Sequence, residues 1–90
     1  MSIKIDIPLY LQHYTNNMET VEVNGNTVGE CLSHLVKQFP GIGKLLFSKT
    51  GNLFEHVIIS VNGENAYPEQ LAKAVKDGDK LQVIFVVGGG

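Results

Sequence analysis

The chain has 90 residues, 43% hydrophobic and 18% charged, which suits one small domain with little room for an enclosed active site. Its formal net charge of −2, with lysine as the only basic residue type, argues against a nucleic-acid partner, because phosphate-binding surfaces are usually basic. No apolar run approaches the roughly 20 residues of a membrane helix. The chain also starts without a signal-peptide pattern, so we expect a cytoplasmic protein with no membrane partner.

Alternating apolar and polar residues near the start predict an antiparallel hairpin. Residues 3–7 have the period of a strand with one buried face. Pro8 interrupts this strand, and we expect residues 9–11 to resume it before a hairpin turn at 13–17. Residues 18–23 alternate again and are predicted to form the second strand.

One long amphipathic helix is predicted next. Thr27 and Glu30 have the spacing of a capping box at its start, and Pro40-Gly41 ends it. A single helix with one apolar stripe has to lie across one face of a sheet. The stripe consists of residues at the three-and-four spacing of one helical face, namely Val28, Cys31, Leu32, Leu35, Val36 and Phe39.

The middle of the chain predicts a second hairpin. Residues 42–47 are short and apolar and are expected to form one turn of helix. Residues 57–61 are rich in β-branched side chains and are predicted to be a strand. The dipeptide Asn62-Gly63 is a strong hairpin signal, and residues 64–65 would begin a brief return strand.

The last strand, predicted over residues 80–87 after a tight turn at 77–79, is apolar on both faces. Ile84 and Val86 occupy the face opposite to Phe85. We interpret Ile84, Val86 and Phe85 as a candidate surface for docking a partner protein. The alternative is a central strand that is buried on both faces beneath a loop. Before this strand, residues 69–75 are predicted to form a short helical piece whose inward residues are Leu71, Ala74 and Val75.

The order of these elements predicts an α+β domain of the β-grasp (ubiquitin-like) type over residues 1–87. The sheet would be mixed, with four to five strands and one long helix across one face. The first and last strands would pair in parallel at its centre. Residues 88–90 are predicted to form a flexible glycine tail.

The predicted tail consists of Gly88, Gly89 and Gly90. Glycine has no side chain and samples wide backbone conformations, so a glycine run can thread into a narrow enzyme channel. A C-terminal carboxylate becomes an acyl donor once it is adenylated. Sulfur then gives a thiocarboxylate, and an amine gives an amide. The residues alone leave both outcomes open, and also a plain interaction module whose terminal glycines are incidental.

Several short segments resemble the ubiquitin-like sulfur carriers. The matching segments are Ile7-Pro8, Asn26-Thr27-Val28-Gly29, Phe39-Pro40-Gly41-Ile42, Val61-Asn62-Gly63-Glu64, Asp77-Gly78-Asp79 and Gly89-Gly90. The family includes the thiamine carrier, the small subunit of molybdopterin synthase and the carrier of a cysteine-synthesis pathway, to which the chain is most similar. It departs from the family after the first strand, where Tyr10 and Gln12 stand in the region of a common arginine.

The resemblance implies that the chain is a cosubstrate rather than an enzyme, with no catalytic residues and no metal or cofactor of its own. An ATP-dependent adenylyltransferase similar to the ubiquitin-activating class would adenylate Gly90, and a sulfur donor would convert it to a thiocarboxylate. A partner synthase would accept the sulfide, with cysteine or homocysteine synthesis favoured. Gly88 and Gly89 would thread into the partner. The alternatives are a molybdopterin synthase small subunit and a protein modifier that forms isopeptide bonds through Gly90.

The remaining side chains with chemical potential are interpreted as structural. His13, His34 and His56 lack the spacing of metal ligands, and His34 is expected to be solvated. Cys31 lies on the apolar helix face and is expected to be a buried core residue rather than a nucleophile. Asp79 is expected to cap its turn, and the tyrosines are expected to be partly buried.

Overall fold

The computed structural model describes residues 2–86. The strands are β1 (Ile3–Asp6), β2 (Thr20–Val23), β3 (Val57–Val61), β4 (Glu64–Asn65) and β5 (Lys80–Phe85). The α-helices are α1 (Val28–Gln38) and α2 (Gly43–Leu46), and short 3-10 helices occupy Leu9–Thr15, Pro40–Ile42 and Gln70–Ala72. Within the described range, none of the helices has the length and apolar character needed to cross a membrane.

The five strands form one mixed sheet in the order β2-β1-β5-β3-β4. β1 and β5 are parallel neighbours at its centre, with Ile5 opposite Leu81. The other strand pairs are antiparallel. With α1 as its long helix, this arrangement is the β-grasp fold, so the fold class predicted from the sequence is confirmed.

The core lies between α1 and one face of the sheet. Ile3 and Ile5 of β1, Leu81 of β5, and Leu32 and Leu35 of α1 are fully buried. Burying each large aliphatic side chain contributes about 1.5–3 kcal/mol to the stability of the fold. Alternate residues of the central strands face the helix, as their period of two predicts.

A capping box fixes the start of α1. The Thr27 hydroxyl accepts a hydrogen bond from the Glu30 backbone N–H at 3.1 Å. The Glu30 carboxylate accepts one from the Asn26 N–H at 2.9 Å. The capping box predicted from the sequence is confirmed, although Glu30 reaches the residue before the cap rather than Thr27 itself.

The segment after Pro8 differs from its prediction, because residues 9–11 do not resume the strand. They begin the 3-10 helix Leu9–Thr15, in which the Leu11 N–H donates to the Pro8 carbonyl at 2.9 Å. Pro8 has no N–H for a strand ladder, and the chain turns away from the sheet at this point. The predicted turn at 13–17 is likewise mostly helical, and only Asn16 and Asn17, both with positive φ, lie beyond the helix.

The segment after β4 also differs in part from its prediction, which was a short helical piece over residues 69–75. Val75 is buried as predicted and Leu71 is half-buried, but Ala74 is exposed, so its inward placement was wrong. Helical geometry ends at Ala72, and the chain continues extended beside the start of α1. There the Val28 N–H donates to the Lys73 carbonyl and the Val75 N–H to the Asn26 carbonyl. Alternate residues of extended backbone point in opposite directions, which turns Ala74 outward.

Two turns are joined through Asp79, which is 7% exposed. Its carboxylate accepts hydrogen bonds from the Asn62 side-chain amide at 2.9 Å and from the Lys76 backbone N–H at 2.9 Å. The Asn62 amide oxygen in turn accepts from the Lys80 N–H at 2.9 Å. These bonds, that from Asn62 first, lower the pKa of Asp79 below its ordinary value. The predicted cap is confirmed, and it also fastens the β3–β4 turn to the start of β5.

Gly25→Ala should destabilise the protein. A Cβ atom at this position would lie 2.8 Å from the Cys31 backbone nitrogen and 2.9 Å from its Sγ atom. The nitrogen is held in α1 by a hydrogen bond to the Thr27 carbonyl, so relieving the overlap has to move the helix. We expect a loss of about 1–3 kcal/mol in the free energy of unfolding, measured by urea denaturation. Asn24→Ala is the control, because Asn24 is the exposed neighbour of Gly25. An unchanged urea midpoint for Gly25→Ala would contradict the close approach of Gly25 to Cys31.

The Asp79 hydrogen bonds should make stability fall in acid. The folded-state pKa of Asp79 lies below the ordinary value of 3.8 that its carboxyl group has in the unfolded chain, so the carboxylate stabilises the fold above pH 3.8. This effect is lost as the pH falls through the folded pKa. The substitution Asp79→Asn replaces one carboxylate oxygen by an NH₂ group, which cannot accept the hydrogen bond from the N–H donor that it faces. We expect a loss of about 1–3 kcal/mol at neutral pH. In urea titrations this difference from wild type should shrink below pH 3.8.

Glu64→Gln is the matched control for that titration, because Glu64 is an exposed carboxylate in the return strand of the same hairpin. Its substitution should change the free energy of unfolding by no more than about 0.5 kcal/mol. A difference between Asp79→Asn and wild type that stays constant from neutral to acid pH would show that the hydrogen-bonded carboxylate is not its source.

Candidate functional site at the end of β5

The residues predicted to carry the chemistry, Gly88, Gly89 and Gly90, lie outside the described residues. The structure describes the strand that leads to them. β5 lies between β1 and β3, and Val86 follows it directly. The chain therefore approaches residue 87 from a central strand, held by neighbours on both sides along part of its length, rather than from a surface loop.

The face of the sheet opposite α1 carries an apolar surface beside this exit point. Ile84 is 42% exposed and Val86 45% exposed. Ile58, half-buried, lies opposite Ile84 in the antiparallel register of β3 and β5. We call Ile58, Ile84 and Val86 the outer patch. Its exposure shows that the alternative of a strand buried on both faces was wrong.

The other half of this face is polar. Lys80 forms an ion pair with Asp6, with 3.2 Å between Nζ and Oδ2. Farther along β5, the Gln82 side chain accepts a hydrogen bond from the Ser60 hydroxyl at 3.1 Å. β5 thus changes along its outward positions from polar at Lys80 and Gln82 to apolar at Ile84. The apolar half lies next to the residues where the tail is predicted to begin.

Four aromatic side chains from three parts of the chain meet at the end of β5. Phe85, partly buried, packs edge-on against Tyr10 with 5.6 Å between ring centroids. It also packs against His56 at 5.3 Å, and His56 stacks on Phe54 at 5.4 Å. We call Tyr10, Phe85, His56 and Phe54 the aromatic row. Edge-on and offset arrangements of this kind are favourable for aromatic rings.

Two backbone N–H groups at the end of β5 are also held. The Phe85 N–H donates to the Tyr10 hydroxyl oxygen at 3.3 Å. The Val86 N–H donates to the His56 carbonyl at 2.8 Å. The strand end is thus bonded on one side by a side chain and on the other by backbone.

This arrangement was not predicted from the sequence. Tyr10 stood out only as a departure from the family pattern, and His56 only as a histidine without metal-ligand spacing. Tyr10, His56 and Phe85 are far apart along the chain, so no local spacing relates them. The one usable signal was the departure itself, because an aromatic residue stands in the region of a common charged one.

The other candidate residues are structural. His13 is exposed, whereas His34 is half-buried and its Nδ1 accepts a hydrogen bond from the Asn24 N–H at 2.8 Å, so it is less solvated than expected. Tyr14 is partly buried as predicted, but Tyr10 is 53% exposed and Tyr67 70% exposed, so the prediction was wrong for these two tyrosines. Among residues 2–86, the acidic, histidine and cysteine side chains include no group of three placed to hold a metal ion.

Cys31 is fully buried, as predicted. Burial first, and then the negative charges of Glu30 and Asp79, raise the pKa of its thiol to about 11. The thiol is therefore almost entirely protonated near neutral pH and out of contact with solvent. It has neither the thiolate character nor the access that sulfur transfer by a cysteine requires.

Comparisons with known proteins relate the whole chain to one family. A model of the ThiS family matches residues 7–90. The chain is 33% identical over 93 residues to the sulfur carrier protein CysO of Mycobacterium tuberculosis, with 100% of each chain covered. It is 37% identical over 71 residues to small archaeal modifier protein 1 of Haloferax volcanii, with 78% of each covered.

The fold shows the same relationship. The chain matches the crystal structure of the BexX/CysO complex of Amycolatopsis orientalis with a TM-score of 0.86 at 31% identity. The match covers 98% of this chain and 99% of the other. The family resemblance inferred from short sequence segments is confirmed.

Cys31 should resist alkylation while the protein is folded. With its pKa raised to about 11 and its side chain buried, the thiol has to wait for unfolding before it can react. We expect iodoacetamide at mildly alkaline pH to leave the native protein unmodified, as measured by intact mass. The same reagent should modify the chain fully in urea, which is the control. Rapid alkylation of the native protein would contradict the burial of Cys31.

Proposed function

Because the chain belongs to the ThiS family, we propose that it is a sulfur carrier whose Gly90 carboxyl group is converted to a thiocarboxylate. The main supporting observation is that the family match runs to Gly90. A relative named as a sulfur carrier protein also aligns over the full length of both chains. The sequence adds a physical reason, since the final glycines have no side chains to obstruct entry into a narrow site.

The chemistry proceeds in two balanced steps. An oxygen of the Gly90 carboxylate attacks the α-phosphorus of ATP, which forms the acyl-adenylate and releases pyrophosphate. A hydrosulfide ion supplied by the sulfur donor then attacks the acyl carbon and displaces AMP, which leaves the Gly90 thiocarboxylate and releases one proton. ATP belongs to the activating enzyme, and this chain supplies the acyl group. It acts as a cosubstrate.

Three partners follow from these steps: an adenylyltransferase of the ubiquitin-activating kind, a sulfur donor and a synthase that accepts the sulfide. The outer patch, together with Phe85, is our candidate for docking them. It lies next to the start of the tail and leaves Ile84 and Val86 nearly half exposed. A solved complex of the related CysO with BexX supports a carrier of this fold that works through protein partners. The kinship with CysO favours a role in cysteine-type synthesis.

A second candidate function is protein modification. The relationship to small archaeal modifier protein 1 favours it, at 37% identity over 71 residues. Both functions begin with the same adenylate and differ in the nucleophile that attacks it. A thiocarboxylate on the free chain indicates sulfur transfer. Isopeptide bonds between Gly90 and lysines of other proteins indicate modification.

The direct test is the intact mass of the protein after incubation with ATP, its cognate activating enzyme and a sulfur donor. The wild type should gain the mass difference between one sulfur and one oxygen atom. Deletion of Gly90 should abolish the gain while circular dichroism stays unchanged, because the buried core is formed by residues between Ile3 and Val83. Gly88→Ala should still react, because Gly88 is the glycine farthest from the reacting carboxyl group and we expect Gly89 and Gly90 alone to need the narrowest passage. Wild-type protein that gains no mass with its cognate partners would refute the sulfur-carrier function.

The docking surface is tested with Ile84→Asp, which puts a charge into the outer patch. We expect at least a tenfold increase in the KM of the carrier for its activating enzyme, because a charge buried at an apolar interface loses hydration without gaining a partner. Met18→Asp is the matched control, since Met18 is 43% exposed and lies away from β5 in the segment before β2. Equal KM values for the two variants, with unchanged melting temperatures, would exclude the outer patch.

A further inference from the structure

We propose that Tyr10 is a positioning residue that holds the end of β5 and thereby sets how far the C-terminal carboxyl group can reach. The anchoring follows from contacts within residues 2–86. Its consequence for the reaction rests on the proposed function, in which Gly90 is the reacting residue.

The first observation is that β5 extends beyond the strand beside it. The parallel pairing of β1 with β5 stops at Asp6 and Gln82. The next N–H of the chain, that of Ile7, donates to the Glu19 carbonyl at 2.8 Å, on the opposite side of β1, and Pro8 has no N–H to offer. The last three residues of β5 therefore continue past the end of β1, while β3 remains paired with them on the other side.

Tyr10 occupies the place that a longer β1 would take. It belongs to the 3-10 helix that replaces the strand after Pro8. Its hydroxyl oxygen accepts a hydrogen bond from the Phe85 N–H at 3.3 Å, and its ring packs against the Phe85 ring. One side chain thus provides both the acceptor and the apolar contact that a neighbouring strand would otherwise provide.

The opposite side of the strand end is held by His56. Its carbonyl accepts from the Val86 N–H at 2.8 Å, and its ring packs edge-on against Phe85 at 5.3 Å. The Phe85 ring therefore packs between the rings of Tyr10 and His56. Strand ends are the parts of a sheet that open most easily. Loss of the hydrogen bond and ring contact from Tyr10 should let Phe85, and then Val86, separate from the sheet.

The position of this anchor determines the reach of the tail. Beyond Val86 only four residues lead to Gly90, which span at most about 14 Å at about 3.5 Å per residue. Release of Phe85 and Val86 would add two residues to the segment that follows the last residue bonded to the sheet, and its maximum span would rise to about 21 Å. A longer segment dilutes its own end, since effective concentration falls roughly as the −3/2 power of length, here about twofold. The anchored strand therefore presents the carboxyl group to a partner at lower entropic cost.

The anchor is tested in the free, full-length protein by amide hydrogen exchange of wild type, Tyr10→Phe and Tyr10→Ala. Tyr10→Phe keeps the ring and removes the acceptor, so exchange of the Phe85 amide should rise about two- to tenfold, the range expected for one hydrogen bond. Tyr10→Ala also removes the ring contact and should accelerate Val86 as well. Tyr67→Ala is the control, because Tyr67 is 70% exposed. It should leave both amides unchanged.

The consequence for the reaction is tested by the kinetics of adenylation with the cognate activating enzyme. Both Tyr10 variants should raise the KM of the carrier by up to about twofold, which is the dilution expected for full release of Phe85 and Val86, and in the order of their exchange rates. The kcat should stay unchanged, since the bound tail is the same. A merely structural defect would instead lower the melting temperature without this split between KM and kcat.

Two results would overturn the proposal. The first is wild-type exchange of the Phe85 amide in Tyr10→Phe and Tyr10→Ala. The second is a KM that rises in Tyr10→Ala but stays at the wild-type value in Tyr10→Phe although exchange has increased, because Tyr10 would then act by touching the partner. A wild type that is never adenylated would refute the proposed function and with it the role in reach. The exchange data would still decide whether Tyr10 anchors β5.

Discussion

The parallel pairing of β1 with β5 is the contact on which the rest of this structure depends. It joins the first and last strands of the chain at the centre of the sheet, with Ile5 opposite Leu81. Everything between them has to return across or beside that pair, which leaves α1 on one face and β2 and β3 on its two flanks. Because β5 is central, it has neighbours on both sides along its first half, and only its last three residues continue past the end of β1.

The outer patch stays exposed because the chain has one long helix, which covers the other face of the sheet. A 90-residue chain with one long helix can cover one face of a five-stranded sheet and no more. Part of the uncovered face carries polar contacts, such as the ion pair of Lys80 with Asp6. Its apolar residues are Ile84 and Val86 at the end of β5, which stay partly exposed, and Ile58 beside them on β3. Apolar surface retained at one place on an otherwise polar face is typical of a site for protein contact.

Because β1 ends early, the end of β5 has no neighbouring strand on one side, and Tyr10 contacts it there instead. Pro8 stops the strand, so β5 loses its neighbour before its own end. The 3-10 helix that follows brings Tyr10 to the vacated edge, where it bonds the Phe85 N–H. A side chain thus replaces a strand at the point where the tail is predicted to begin. A single tyrosine can be altered by one substitution, whereas a strand ladder cannot.

Local pattern in the sequence determined most of the elements: the alternation of β1, the stripe and cap of α1, the Asn62-Gly63 turn and the burial of Cys31. Each depends on neighbours within a few residues, so periodicity and turn chemistry suffice to predict it. The tertiary structure alone decided that the chain turns into a 3-10 helix after Pro8. It alone decided that Ala74 points outward and that the outer face of β5 is left uncovered. It also brought Tyr10 and His56 to Phe85, because contacts between distant residues depend on how strands and helices pack and not on local spacing.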